Sequence, residues 1–231
     1  FCGMETPCVE HIENLTSKQG GDNEKLIFKI LKRGNKLKLE DAKSEADLVD
    51  GGLRYDLTLP LSRYYANNVS QLPSPFKALQ IGSVWRADKP QRGRFRQFVQ
   101  CDIDILGEAT YLAEVELILA TSTLLGKIGF SGFKIRINDR RILKAMAAYC
   151  DFPEENYDQV FIILDKMDKI GLDGVAAELM ECGYPKENVD KYLGLFGQAS
   201  DGVEGIRSLG QILEGVLEPG AAENLEKILT C

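Results

Sequence analysis

The chain has 231 residues, 44% of them hydrophobic and 27% charged, an ordinary globular composition long enough for one large or two modest domains. Its net charge of -7 is unevenly divided: residues 1–150 carry 22 Lys and Arg against 18 Asp and Glu, while residues 151–231 carry 6 against 17, so the second part cannot hold a polyphosphate by bulk attraction. No apolar run approaches the roughly 20 residues that span a bilayer, and Phe1 to Asn14 has no basic stretch ahead of an apolar one, so a cytoplasmic protein is expected.

From the start of the chain, Phe1 to Asn14 reads as a short strand passing through Pro7 into a Val9, Ile12, Leu15 pattern suited to one helical turn. The only histidine, His11, lies here without a Cys or Ser partner and is expected to be structural or at the surface. Gln19 to Asn23 is a loop by composition. Lys25 to Leu31 predicts a strand, Arg33-Gly34-Asn35-Lys36 a hairpin turn into Leu37 to Leu39, and Asp41 to Asp50 a polar, mobile segment. Leu53 to Leu57 returns to a strand, which by the period-two rule sets Arg54, Asp56 and Thr58 on one face. A carboxylate with a hydroxyl two residues on can receive an ammonium from two directions. Pro60 to Asn68 predicts a helix with Leu61, Tyr64 and Tyr65 on its inner side.

Lys77 to Gly107 organises the rest. Two long β-prone runs flank Lys89-Pro90-Gln91-Arg92-Gly93, a basic turn with a Pro and a Gly. Alternation puts Leu79, Ile81, Ser83, Trp85 and Ala87 on one side with Phe95, Gln97, Val99, Cys101, Ile103 and Ile105, a face expected to build core. The other side carries Gln80, Gly82, Val84, Arg86 and Asp88 with Arg94, Arg96, Phe98, Gln100, Asp102 and Asp104, a polar surface. Antiparallel sheets often leave such a side in water. Yet Arg86, Lys89, Arg92, Arg94 and Arg96 are offset locally by Asp88 alone, and a hairpin centred near Gln91 opposes Arg86 to Arg96, a like-charge conflict that a bound polyanion would remove. Arginine's planar fork suits phosphate, and Phe98 among these charges could stack on a nucleobase.

Beyond the hairpin, Ala109 to Ile128 is the clearest helix, Phe133 to Ile137 predicts a strand beside the hairpin, and Asn138 or Asp139 caps a helix over Arg140 to Tyr149. From Pro153 the pattern becomes helices over Val160 to Met167, Val175 to Cys182, Val189 to Phe196, Ile206 to Val216 and Ala222 to Leu229. They are joined at Gly171, Gly183-Tyr184-Pro185 and Glu218-Pro219-Gly220. The six cysteines, at positions 2, 8, 101, 150, 182 and 231, form no CxxC pair, so neither a zinc site nor a disulfide framework is expected and they read as reduced and mostly structural.

Arg86-Ala87-Asp88, a short loop, then Arg94-xxx-Phe98-xxx-Asp102 resembles motif 2 of class II aminoacyl-tRNA synthetases, and the fuller string WRADKPQRGRFRQFVQCDIDILG is similar to histidyl-tRNA synthetases in particular. Gly52 to Pro60, GLRYDLTLP, resembles that family's histidine-binding segment, and Met4-Glu5-Thr6-Pro7 the proline-bearing end of motif 1. The resemblance implies an α+β fold: a class II antiparallel sheet flanked by helices over residues 1–150, part of a catalytic domain, and an all-helical insertion domain over 151–231. It implies histidine and ATP, with Mg2+ as counter-ion, as substrates for histidyl-adenylate formation, transfer to tRNA(His), and a homodimer. By family position Arg86 is the catalytic clamp on the α-phosphate. Arg86, Asp88, Arg94 and Phe98 bind ATP, with Arg94 at the outer phosphates and Phe98 at adenine. Asp56 and Thr58 meet the histidine ammonium, and Gln100 and Asp104 engage the amino acid. No dedicated metal cage is expected.

Asp88 stands where many class II members have Glu. The sequence reaches Cys231 before the family's second histidine-specific segment, motif 3 and the anticodon-binding domain, so it reads as a fragment of low activity alone. The alternative is a non-catalytic relative, the regulatory subunit of ATP phosphoribosyltransferase. Such relatives tend to lose the basic residues of motif 2, which this chain keeps. A stand-alone RNA-binding module fits poorly with the acidity.

Overall fold

The computed structural model describes residues 1–16, 25–198 and 202–231, so the loop predicted at Gln19 to Asn23 lies outside the described residues. In chain order the elements are β1 (Cys2–Gly3), β2 (Val9–His11), α1 (Ile12–Thr16), β3 (Lys29–Leu31), β4 (Val49–Leu53), α2 (Thr58–Asn68), β5 (Phe76–Trp85) and β6 (Gln97–Leu106). The helices α3 (Leu112–Lys127), α4 (Arg140–Tyr149), α5 (Tyr157–Leu164), α6 (Met167–Glu181), α7 (Lys186–Gln198), α8 (Val203–Ile212) and α9 (Ala221–Thr230) follow. They fall into two compact units, Phe1–Ala109 and Thr110–Cys231.

The first unit holds two three-stranded sheets, β1-β5-β6 and β2-β4-β3. All pairs are antiparallel except β1 on β5, so the expected α+β class holds with its strands split between two small sheets. β5 and β6 pair without a break from Phe76 opposite Leu106 to Trp85 opposite Gln97, and Arg86 N donates to Arg96 O at 2.9 Å just beyond. This register is centred on Gln91, as the sequence suggested. The chain itself reverses slightly later, at Arg92-Gly93, where Gln91 and Arg94 exchange backbone hydrogen bonds of 3.4 and 2.9 Å and Gly93 takes φ 77°.

The assignment of the two hairpin faces is reversed. The side predicted to build core is largely open, with Ile81 and Val99 each 64% exposed and Cys101 exposed. The polar side is the covered one: Phe76, Ala78, Gln80 and Val84 are buried, and Leu61 of α2 closes over Phe76 and Ala78 with Tyr64 and Tyr65 alongside. Alternation gave the two faces correctly but not which one is covered, because the buried positions include the small Ala78 and the polar Gln80.

Three further expectations do not hold. The strand predicted over Leu53 to Leu57 ends at Leu53, and residues 54–57 form the entry to α2. Gly34–Lys36 is a turn of 3-10 helix, without a strand at Leu37 to Leu39. Within Asp41 to Asp50, Ser44 and Asp47 form a reciprocal capping box around another 3-10 turn and Val49 and Asp50 already belong to β4, so the segment is ordered by local hydrogen bonds.

In the second unit Phe133 to Ile137 is not a strand but irregular chain leading into α4. Asp139 caps α4 as predicted, its Oδ1 accepting from Arg141 N at 2.9 Å. The helical core joins Ile142, Met146 and Cys150 to Val160, Leu179, Tyr192, Leu213 and Leu225. The predicted boundary after residue 150 therefore falls inside this unit, at the end of α4. Gly171 takes φ 71° inside α6 and kinks it where a turn was predicted. Cys150 is buried and burial pushes its thiol up to about 11, which keeps it protonated and inert. Cys2, Cys101, Cys182 and Cys231 are exposed, so the expectation of mostly structural cysteines fits Cys150 but not these. His11 is exposed, as expected.

The cap gives a stability test. Asp139→Ala removes the acceptor for Arg141 N and is expected to destabilise the protein by about 1 kcal/mol, read as a lower urea midpoint by circular dichroism. Hydrogen bonds from Arg141 hold the Asp139 pKa below the usual carboxylate value, so its contribution is present above that value and lost as pH falls through the lowered one.

Candidate active site

Along the covered face of the hairpin the side chains are sorted by charge. Phe98 stands opposite Val84, Gln100 opposite Gly82, Asp102 opposite Gln80 and Asp104 opposite Ala78, with Arg86 and Arg96 at the turn end. Successive side chains on one face are about 7 Å apart along a strand, so cations and acids occupy separate zones.

Arg86 is half-buried. Its Nε donates to the Tyr55 carbonyl at 3.1 Å and its guanidinium carbon lies 5.2 Å from the centre of the Phe98 ring. Arg96 departs in another direction, donating Nε to the Asp88 carbonyl at 3.1 Å and lying 5.9 Å from the Phe28 ring centre. The conflict expected between two opposed arginines is thus eased within the protein by two separate aromatic supports. Arg94 is exposed near the tip and faces Asp88 at 3.8 Å, a pair weakened by solvent.

Asp56 lies in the entry turn of α2 rather than on a strand. Its Oδ1 accepts from Leu59 N at 3.1 Å, a bond that fixes the carboxylate at the helix start. Thr58, the first residue of α2, is exposed, so the shared strand face predicted for Arg54, Asp56 and Thr58 does not form. Arg54 instead turns inward and is 1% exposed.

Burial raises the pKa of Asp56, against the lowering effect of the Leu59 N–H and of Arg86. Burial raises Asp102 as well, and it raises Asp104 with further help from the charges of Asp102 and Asp56. These acids therefore form one electrostatic group. The sequence marks Asp102 as a motif position without a role, and its parity with Gln100 and Asp104 is the signal that sets it on their face. Two oxygens on this face, Gln100 Oε1 and Asp104 Oδ2, are buried and accept no hydrogen bond among the described residues. A buried acceptor left open costs free energy that an incoming N–H donor recovers. A cationic ligand rich in N–H groups fits this end and an anionic, planar one the other.

Among the described residues no three acidic, His or Cys groups are gathered to hold a metal ion, and no helix is long and apolar enough to cross a membrane. A cavity of about 340 Å³ lies elsewhere in this unit, between Glu10, His11, Asn14 and Arg63, where Arg63 pairs with buried Glu10 at 2.6 Å; none of the predicted site residues lines it.

The model of the family described as histidyl-tRNA synthetase matches residues 2–230. The chain belongs to the histidyl-tRNA synthetase family. The histidine–tRNA ligase of Leifsonia xyli subsp. xyli is 50% identical over 187 residues, covering 78% of this chain and 43% of that protein. That of Christiangramia forsetii is 38% identical over 224 residues, covering 93% of this chain and 49% of its own. The crystal structure of histidyl-tRNA synthetase from Nostoc sp. PCC 7120 superposes with a TM-score of 0.76 at 26% identity, over 100% of this chain and 49% of that one. A Bacillus halodurans structure described as an ATP phosphoribosyltransferase regulatory subunit/histidyl-tRNA synthetase shares the fold at a TM-score of 0.73 and 18% identity, over 100% of this chain and 54% of that one. The chain spans about half the length of the curated synthetases it matches.

The acid group gives a prediction of its own. Because the folded-state pKa of Asp104 is raised, the folded protein binds that proton more tightly than the unfolded chain, and stability falls as pH rises through the carboxylate range. Asp104→Asn is therefore expected to raise Tm at neutral pH, with the gain vanishing below about pH 4, where the parent carboxyl is protonated. Thermal melts of both proteins across pH check this.

Proposed function

We propose that the protein is a histidine–tRNA ligase, activating histidine with ATP to histidyl-adenylate and passing histidine to tRNA(His). The observation that carries this reading is the Tyr55-Asp56 peptide: the Tyr55 carbonyl anchors Arg86, and the next side chain is the desolvated carboxylate Asp56. A phosphate-binding fork and an ammonium-binding acid are thereby held one residue apart.

In the first step the histidine carboxylate attacks the α-phosphate. That carboxylate is already ionised at neutral pH, so no general base is needed. What the reaction needs is alignment of the reactants and stabilisation of charge on the phosphoryl oxygens. Arg86, its Nε anchored, is the catalytic clamp on the α-phosphate, and Arg94 at the open hairpin tip, beside Asp88, meets the outer phosphates. Phe98 stacks adenine on its ring, which it shares with the Arg86 guanidinium. Asp56 receives the ammonium, while Gln100 Oε1 and Asp104 Oδ2 take N–H groups of the amino acid. Mg2+, arriving with ATP, supplies charge neutralisation on the phosphates.

On this reading residues 1–150 belong to the catalytic domain and 151–231 to the helical insertion, and the whole protein is a cytoplasmic homodimer. The regulatory-subunit alternative shares the fold; the retained Arg86 and Arg94 favour the ligase.

In the gene product carrying this sequence, Arg86→Ala is expected to lower histidine-dependent ATP–pyrophosphate exchange by about 10²-fold or more, comparable to losing a preorganised oxyanion donor. Near-normal exchange removes Arg86 from the α-phosphate. Asp56→Asn is expected to raise the KM for histidine sharply with the KM for ATP little changed, and the reverse pattern takes Asp56 out of the amino-acid pocket.

A further inference from the structure

We propose that Arg54 is a positioning residue for histidine activation, the centre of a buried hydrogen-bond network that fixes the Tyr55-Asp56 peptide against β5; this rests on the ligase reading above. Arg54 is 1% exposed, and among the described residues no carboxylate pairs with it. A guanidinium buried without a counter-charge is unfavourable unless its donors are met. Here neutral acceptors meet the donors of Nε and Nη1. Nε donates to the Ser83 carbonyl at 2.9 Å, and Nη1 donates to both the carbonyl and, at 3.1 Å, the hydroxyl of Thr6.

The network continues through side chains that are themselves buried, Thr6 at 4% and Gln80 at 2% exposure. Thr6 Oγ1 donates to Gln80 Oε1 at 3.1 Å, and Gln80 Nε2 donates to the Leu57 carbonyl at 3.1 Å. The main chain of Arg54 is also bonded on both sides, its N–H to the Cys8 carbonyl at 2.9 Å and its carbonyl to Trp85 N at 3.0 Å. The segment from Arg54 to Leu57 is therefore tied at both ends. Between the ties lie the carbonyl that anchors Arg86 and the carboxylate of Asp56.

Gly82 belongs to the same device. A Cβ there would stand 2.5 Å from Arg54 Nη2, so the guanidinium occupies the place of a side chain on β5, across from Gln100. An aliphatic plug could fill that volume, but it could not bond to Thr6 and Ser83. The polarity of the network thus serves placement of two functional groups rather than burial alone.

The test uses Thr6→Val, which deletes the hydroxyl at nearly constant shape, and Arg54→Lys, which keeps the charge and loses the fork. Both are made in the gene product carrying this sequence and assayed by pyrophosphate exchange, alongside circular dichroism. For folded Arg54→Lys the expectation is a fall in kcat of about 10²-fold, the effect of displacing reacting groups by about 1 Å, together with a raised KM for histidine. Thr6→Val should show the same pattern, smaller, and guanidinium ion added to Arg54→Ala should restore part of the exchange. Parental kcat and KM in folded Arg54→Lys and Thr6→Val overturn the role of Arg54; if Arg54→Lys does not fold, Thr6→Val decides alone. A parent protein without histidine-dependent exchange overturns the ligase reading instead.

Discussion

The unbroken ladder between β5 and β6, from Phe76 opposite Leu106 to Trp85 opposite Gln97, is the constraint on which the site depends. A slip of one residue would send Phe98, Gln100, Asp102 and Asp104 to the opposite side of the sheet and leave Arg86 without its aromatic partner. The ladder is built from β-prone runs around a Pro- and Gly-bearing turn, and it holds one register along its whole length. Local sequence and long-range geometry agree here. That agreement explains why a strand segment so rich in charge still forms.

The second constraint is the segment joining β4 to α2. Its residues do not follow the ladder's periodicity, and they place Asp56 at a helix entry rather than on a strand. Asp56 serves the backbone through Leu59 N while its burial disfavours its own charge. Desolvation raises the pKa of each acid at this end of the sheet, and Arg86 opposes that rise at Asp56 and Asp102. Stability is thereby conceded at the acids of the candidate site, a common pattern at functional sites.

Much of this was legible in the amino-acid order. The hairpin, its centre, the content of each face, the Asp139 cap and the helical character after Pro153 all follow from periodicity and turn chemistry. Three features resisted, each for a physical reason. Which hairpin face is covered depends on α2, which reaches the sheet only through tertiary packing. Residues 54–57 read as a strand because their alternation is good, yet a carboxylate able to cap a helix start ends the strand early. Phe133 to Ile137 has strand-like residues but lacks a partner strand among the described residues, and β structure is decided by pairing more than by propensity. Arg54 was misplaced with its segment, since a lone buried arginine has no pattern of its own in sequence; only the donors around it reveal its task.

The order β1-β5-β6 leaves β6 at the border of its sheet, ten residues long and with one side of its backbone turned away from β5. Such a border is a template onto which another extended chain can be added, whether a further strand of the same polypeptide or, wrongly, a neighbouring molecule. Asp102 and Asp104 lie along this border strand. Like charges at these positions on two copies of β6 would repel one another, which disfavours their zipping together.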